Sequence, residues 1–405
     1  MAEETQSVGN GAIEPDADAI RRRGMLFIAL AVACVGFAMA LQLGLNANFV
    51  VEEIDLDPWQ VGKLEGARET CGIVALAIIA LLAGLAEPLI GAGMLVLLGA
   101  GLSCYFFVQD YLWLVLASVV WSQGLHVWMP LPNSMTLSLA EPGRWGHRLG
   151  QVHAAGSVGH GIGFAVALAL ITAGMAIRPL YLVAGAAAVL GAAACMAIPR
   201  RTKTHGPRLV FKRRYSLFYL LSFLDGWRKQ IFICFAGYLL VRKYDTDVRV
   251  ILLLWGATQV INYFSAPRVG RLIDRIGERK VLVFYFACLT VFFACYATIR
   301  NVYVLYGVFV ADNAFFVLAM ALRTYVNRIA PKNELTPTLS MGVAMNHVAA
   351  VAMPLAGGFL WESLGYEWTF LIGAIAAVLS IFVALRVPQR GPGRMALRAE
   401  EAPAG

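Results

Sequence analysis

Charge is what this 405-residue sequence has least of: Asp, Glu, Lys and Arg make up 14% of it, against about a quarter of a soluble globular protein. Hydrophobic residues reach 59% and mean hydropathy is +0.68. That balance excludes a water-soluble domain and implies an integral membrane protein. No cleavable leader is visible either, and none is expected. The first 20 residues are polar and acidic, and Arg21-Arg22-Arg23 leads straight into an apolar run too well embedded in the later pattern to be removed. No Walker-type phosphate loop occurs, so the chain does not drive itself with ATP. No serine–histidine or paired-aspartate spacing suits an intramembrane enzyme, and no enzymatic activity is expected. The seven cysteines, Cys34, Cys71, Cys104, Cys195, Cys234, Cys288 and Cys295, all lie in apolar runs without metal-ligand spacing. Neither a metal site nor a cofactor is expected; a proton or other ion gradient is the energy source. The net charge of +8 would suit nucleic acid, but the basic residues sit mostly in short loops, where they report membrane orientation. Nucleic acid is therefore excluded as a partner, leaving a small-molecule solute and the lipid bilayer.

About twelve apolar runs are long enough to span a bilayer, near 25–46, 62–84, 90–108, 112–134, 148–173, 179–198, 215–241, 248–268, 280–298, 302–323, 337–360 and 367–387. Basic residues collect in alternate loops, beginning with Arg21 to Arg23 and including Arg144, Arg148, Arg268 to Lys280, Arg328 and Arg386. The opposite side opens with Glu52, Glu53, Asp55 and Asp57. Both termini are then cytoplasmic. From Arg200 to Arg214 there is no acidic residue, and this basic stretch separates six runs from six. The expected organisation is a polar tail (1–20), a six-helix bundle (21–198), a basic linker (199–214), a second six-helix bundle (215–387) and a C-terminal tail (388–405), functional as a monomer in the cytoplasmic membrane. Glu141-Pro142-Gly143-Arg144 after run four echoes Ala330-Pro331-Lys332-Asn333 after run ten, and a glycine-rich or proline-bearing run follows each. Paired halves with broken helices in matching places point to a transporter with a site between repeats.

Every third run is dry. Runs 3, 6, 9 and 12 carry almost no polar residue near their middles, whereas the others hold Gln42 and Asn46; Glu65, Arg68 and Glu69; Ser122, Gln123 and His126; and His153, Ser157 and His160. The second half adds Asp225, Arg228, Lys229 and Gln230; Gln259 and Asn262; Asp312 and Asn313; and Asn346 and His347. Polar groups are costly against lipid, so the wet helices must enclose a cavity and the dry ones face outward.

The densest charge lies in Ser222-Phe223-Leu224-Asp225-Gly226-Trp227-Arg228-Lys229-Gln230. At helical pitch Arg228 falls about 60° to one side of Asp225 and Lys229 roughly 40° to the other, so the three share one broad face. Either Asp225 merely neutralises a neighbour, or Arg228 or Lys229 attracts an anionic solute group while Asp225 or Asp312 exchanges a proton. His153 and His160, seven apart, could join His126 in a proton relay, and His347 stands beside Asn346. Glu65, Arg68 and Glu69 read as a gate cluster in the outer third of run two. Gly156, Gly159 and Gly163 form a small-residue packing face rather than a nucleotide loop.

At this point the chain resembles the major facilitator superfamily (MFS). Between runs 8 and 9, Gly270-Arg271-Leu272-Ile273-Asp274-Arg275-Ile276-Gly277-Glu278-Arg279-Lys280 follows that family's loop signature. The resemblance implies that Asp274 pairs with neighbouring bases such as Arg275 and Arg279 to latch one conformation. The matching first-half loop, Leu85-Ala86-Glu87-Pro88-Leu89-Ile90-Gly91, keeps the acid but has lost the bases. Gly150-Gln151-Val152-His153-Ala154-Ala155-Gly156-Ser157-Val158-Gly159 is similar to run five of the family's sugar–proton symporters, with His153 where they hold a sugar-binding arginine. The change removes a permanent bidentate donor, so sugar specificity does not follow. Pro354-Leu355-Ala356-Gly357-Gly358 resembles a superfamily kink. The expectation is an all-α, twelve-helix secondary transporter moving a small anionic or zwitterionic solute by alternating access, with proton coupling. A proton-driven exporter of amphiphilic or cationic compounds, with Asp225 and Asp312 facing the cargo, and a non-transporting receptor or scaffold on the same fold stay open.

Overall fold

The computed structural model describes residues 15–141, 144–200 and 211–389; most of the two expected tails and of the linker, along with Pro142 and Gly143, lies outside these. Every regular element among the described residues is a helix. The first half holds α1 (Pro15–Asn48), α2 (Pro58–Leu81), α3 (Glu87–Cys104), α4 (Tyr111–Trp128), α5 (Leu131–Leu139), α6 (Trp145–Thr172) and α7 (Ile177–Met196). The second holds α8 (Ser216–Tyr244), α9 (Val248–Ile276), α10 (Glu278–Thr298), α11 (Val302–Phe315), α12 (Met320–Ile329), α13 (Lys332–Leu364) and α14 (Tyr366–Ala384). By length and composition, 10 described segments can cross a membrane, with α4–α5 and α11–α12 each counted as one. The two long helices outside that set are α2 and α8, of 24 and 29 residues. Each is long enough for a core of about 30 Å; each carries the buried charges that lower its hydropathy.

The acid-rich end shows how sequence sets the helix starts. Asp57 and Gln60 form a reciprocal capping box on α2, with Pro58 at its first position. Asp110, Asp247 and Asn301 accept from the first-turn N–H groups of α4, α9 and α11. Side-chain oxygens there satisfy orphan donors and suit the positive end of the helix dipole. At the basic end, Gly277 (φ 86°) turns α9 directly into α10, and Gly365 (φ 105°) turns α13 into α14 at the other. These are conformations that a Cβ disfavours.

Within the first half α1 packs on α6 and α7, α3 on α4 and α7, and α2 on α4; within the second, α8 packs on α13 and α14, and α10 on α11 and α14. The halves meet chiefly along α2–α13 and α6–α9. The dry runs α3, α7, α10 and α14 form the flanks, away from these seams. Glycine makes the seam close: a Cβ on Gly62 would lie 2.3 Å from the Pro354 carbonyl oxygen, and one on Gly358 would lie 2.6 Å from that of Pro58.

One expectation fails. The glycine- and proline-bearing α6 and α13 are continuous, and α13 runs unbroken through Pro337 and Pro354. The interruptions fall one run earlier, at Met129–Pro130 between α4 and α5 and at the 3₁₀ turn Phe316–Ala319 between α11 and α12. Pro130 and Pro132 lack the N–H groups that would carry the first break through. The second coincides with Phe316, whose ring lies 4.4 Å from the Arg228 guanidinium carbon.

Candidate functional site

The halves are joined at the end bearing the acidic residues. Arg242 donates to Asp55 at 2.5 Å, the Tyr238 hydroxyl to the Leu56 carbonyl at 2.8 Å, and Asn48 Nδ2 to the Thr246 carbonyl at 3.0 Å. Trp59 meets Phe359 edge to face. Following α2 and α13 inward, this seam reaches Gly72 and His347, where a Cβ on Gly72 would lie 2.5 Å from the imidazole. Beyond it α2 exposes Ile73, Val74 and Leu81. The molecule is therefore closed at the acidic end, and this polar group lies at the inner limit of the seam.

Glu69 is the centre of that group. From α2 it accepts a hydrogen bond across the halves from Gln230 Nε2 on α8 at 3.5 Å, and its other oxygen lies 3.0 Å from His347 Nδ1 on α13. The His126 ring, from α4, meets His347 edge to face with centroids 5.2 Å apart. His126 Nδ1 lies 2.8 Å from the Ser122 carbonyl, whose hydroxyl donates to the Arg68 carbonyl at 2.9 Å. The half-buried Lys229 is within electrostatic reach of Glu69. Four helices from both halves thus contribute an acid, two imidazoles, an amide and an amine.

Arg68 and Glu65 stand behind this group. Both are buried, they pair with each other, and the Arg68 guanidinium lies 4.4 Å over the Trp121 ring. The expected gate cluster is thereby divided: Glu65 and Arg68 pack inside the first half, while Glu69 turns to the seam.

The charged run of α8 is divided too. Arg228 is fully buried in the second half, donating to Asp225 at 2.9 Å and to the Tyr285 hydroxyl, with Asp312 at 3.7 Å. Tyr285 in turn donates to Asp225 at 3.1 Å. Among the described residues neither Asp312 oxygen has a hydrogen-bond partner, nor has Asn313 Nδ2 beside it. Lys229 does not share this face. Consecutive helical residues are 100° apart, so Arg228 turns into the bundle while Lys229 stays half-buried on another side of α8. Tyr285 was not foreseen, because it is one of a few hydroxyls in a run without charged or amide groups near its middle.

The remaining candidates are dispersed. His153 is exposed, and His160 is held at 2.9 Å from the Gly156 carbonyl against Gly36 of α1. Neither joins His126 in the expected relay, because α6 faces α1 and α9 instead of α4. Among the described residues Gln123 Nε2 and Asn262 Oδ1 are buried without partners. Gly270, Asp274, Arg275, Gly277 and Arg279 occupy the α9–α10 corner, where buried Glu278 lies 3.6 Å from Arg328. Glu87 is buried and accepts from Ser134 at 2.7 Å.

The model of the Major Facilitator Superfamily matches residues 218–404. Solved structures extend the likeness in fold to about nine-tenths of the chain. A mutant of the nucleoside transporter NupG matches at TM-score 0.75 and 14% identity, covering 90% of this chain and 99% of its own. A D-xylose–proton symporter matches at 0.72 and 13%, covering 91% and 98%. The likeness to this superfamily is one of sequence over the second half and of fold over about nine-tenths of the chain. A bacterial homologue of the human lysosomal transporter Spinster, inward-facing and unoccupied, matches at 0.69 and 13%, covering 92% and 99%. At these identities the structures speak for the fold. No curated protein matches the sequence. The chain therefore combines this fold with 10 described segments long and apolar enough to cross a membrane, and it holds Glu69, Gln230, His126 and His347 at the seam between its halves.

Proposed function

We propose that this protein is a secondary active transporter of the major facilitator superfamily, with twelve spans in two six-helix bundles, both termini cytoplasmic, working as a monomer. One observation carries the reading: Glu69 of the first half is held by Gln230 and His347 of the second where the seam ends. Bonds in that place must be remade each time the halves rock, so a solute that competes for them couples its own binding to the conformational change. Lys229 and Glu69 present opposite charges at one site, which favours a small zwitterionic or anionic solute. The proton is assigned to Asp312. Two carboxylates around one guanidinium leave a dry cluster one negative charge in excess, and burying an uncompensated charge is costly; a proton on Asp312 balances it.

The test is flux into proteoliposomes under an imposed pH gradient, across a panel of carboxylate and zwitterionic metabolites. Glu69→Gln and His347→Ala should each lower flux tenfold or more while the protein still elutes and melts as a folded species. Asp312→Asn should retain solute exchange but lose acceleration by the gradient. Undiminished flux in Glu69→Gln would sink the assignment of this site.

A further inference from the structure

We infer that Glu69, His126 and His347 form a binding site for a divalent first-row transition-metal cation, an inference that rests on reading the seam as the solute site. One ligand atom from each lies within 4.8 Å of the other two. Two imidazoles and one carboxylate are a donor set that suits zinc, iron, cobalt or nickel, with positions left open for water or a further oxygen ligand.

The geometry favours ligation in three ways. Glu69 Oε2 and His347 Nδ1 are 3.0 Å apart, close to the roughly 3.3 Å edge of a tetrahedron with bonds of about 2.0 Å. A separation of up to 4.8 Å has to close by about 1.5 Å, within the reach of side-chain rotation for groups that are only half-buried. His126 comes already oriented. Its Nδ1 sits 2.8 Å from the Ser122 carbonyl, which must be accepting, so Nδ1 carries the proton and the Nε2 lone pair is left for a metal. A backbone carbonyl fixing the tautomer of a ligating histidine is the usual outer-shell arrangement. Finally, Gly72 supplies the space for the His347 ring, since any Cβ there would meet all three of its outer atoms within 2.8 Å.

The surrounding charges set the terms. Arg68 is cancelled by Glu65, but Lys229 acts on the same carboxylate and opposes a bare dication. The cation is therefore bound more tightly when that amine is removed or when an anionic oxygen ligand fills an open position. Because the three ligands come from both halves, a metal also draws α2, α4 and α13 together and stabilises the conformation closed at the acidic end.

Cobalt(II) chloride is the probe, titrated into the purified full-length protein in detergent and followed by visible absorption. The wild type should take one equivalent with absorption bands of tetrahedral or five-coordinate cobalt. His126→Ala and His347→Ala should each weaken binding at least tenfold. Lys229→Gln should tighten it by roughly tenfold, and His153→Ala should leave it unchanged. His126→Gln, which keeps a polar side chain, guards against loss through misfolding, and its melting temperature is read alongside. Absence of the bands in the wild type overturns the inference, as does equal binding by the His126 and His347 variants. Either result leaves the flux response of Glu69→Gln standing as the separate test of transport.

Discussion

Replacing Arg228 by Gln separates a structural cation from a solute-binding one. In the folded protein the guanidinium is fully buried, 2.9 Å from Asp225, 3.7 Å from Asp312 and stacked on Phe316. Removing one partner of a buried ion pair costs about 3–5 kcal/mol, since the other charge is left uncompensated. With Asp312 ionised, two carboxylates lose the same partner, and the upper part of that range applies. With an unfolding entropy of about 2.1 cal/mol/K per residue, that energy lowers the melting temperature by roughly 5 °C if the whole chain unfolds together. The fall is about twice as large if the second half melts alone. Tryptophan fluorescence of purified protein reads the change, and Trp227 is the neighbouring residue. Asp312→Asn alone removes the excess negative charge and should stay within about 1 kcal/mol of wild type. Combined with Arg228→Gln it should restore about 1–2 kcal/mol, a coupling of the size expected for residues in contact. If Arg228→Gln melts within a degree of wild type and yet loses flux, the closed-cluster reasoning is wrong and Arg228 meets the solute.

Three other outcomes follow from the same geometry. Gly62→Ala places a methyl 2.3 Å from the Pro354 carbonyl oxygen and should prise the closed end apart, seen as a longer spin-label distance between cysteines replacing Asp55 and Arg242. Gly277→Ala forces a Cβ into φ 86°, ψ 157°, at a cost of about 1–3 kcal/mol in thermal stability with no change in solute affinity. At the basic end Lys212 first, then Arg214 and Tyr215, draw the Glu334 carboxyl from its ordinary 4.5 down to about 2. That carboxylate favours the folded state fully above pH 4.5, and its contribution is lost as pH falls toward 2. The melting-temperature gap between wild type and Glu334→Gln should therefore shrink over that window; a gap that widens on acidification refutes the assignment.

The helical layout was legible because it rests on period and composition. Apolar runs, dry every third run and loop charge place the seams and flanks, and the acidic loops cap helices as their residue types suggest. What the sequence hides is which side of a polar helix meets which neighbour. Asp225, Arg228 and Lys229 fit one face at an arc of about 100°, yet that arc is wide enough to straddle the bundle interior and the seam. Glu65, Arg68 and Glu69 are parted in the same way. His126 and His347 lie far apart in sequence, and no local spacing could pair them. His153 and His160 have the better spacing but belong to a helix turned toward α1. Tyr285 carried no signal beyond a hydroxyl in a dry run.

The division of charge along α8 has a mechanical consequence. Arg228 looks into a cluster wholly inside the second half, whereas Gln230 reaches across to Glu69 and Lys229 lies within its electrostatic reach. One helix thus carries the cation of the proposed proton site and two groups of the proposed solute site within a single turn. A proton arriving at Asp312 changes how strongly Arg228 is held, and any small rotation of α8 that follows moves Gln230 relative to Glu69. Gly226 sits against the Asn346 backbone with no room for a Cβ, so such a rotation would carry α13, and His347 with it. The coupling needs no wire across the bilayer. It needs only that α8 and α13 move as one body against α2, and their packing already ties them together.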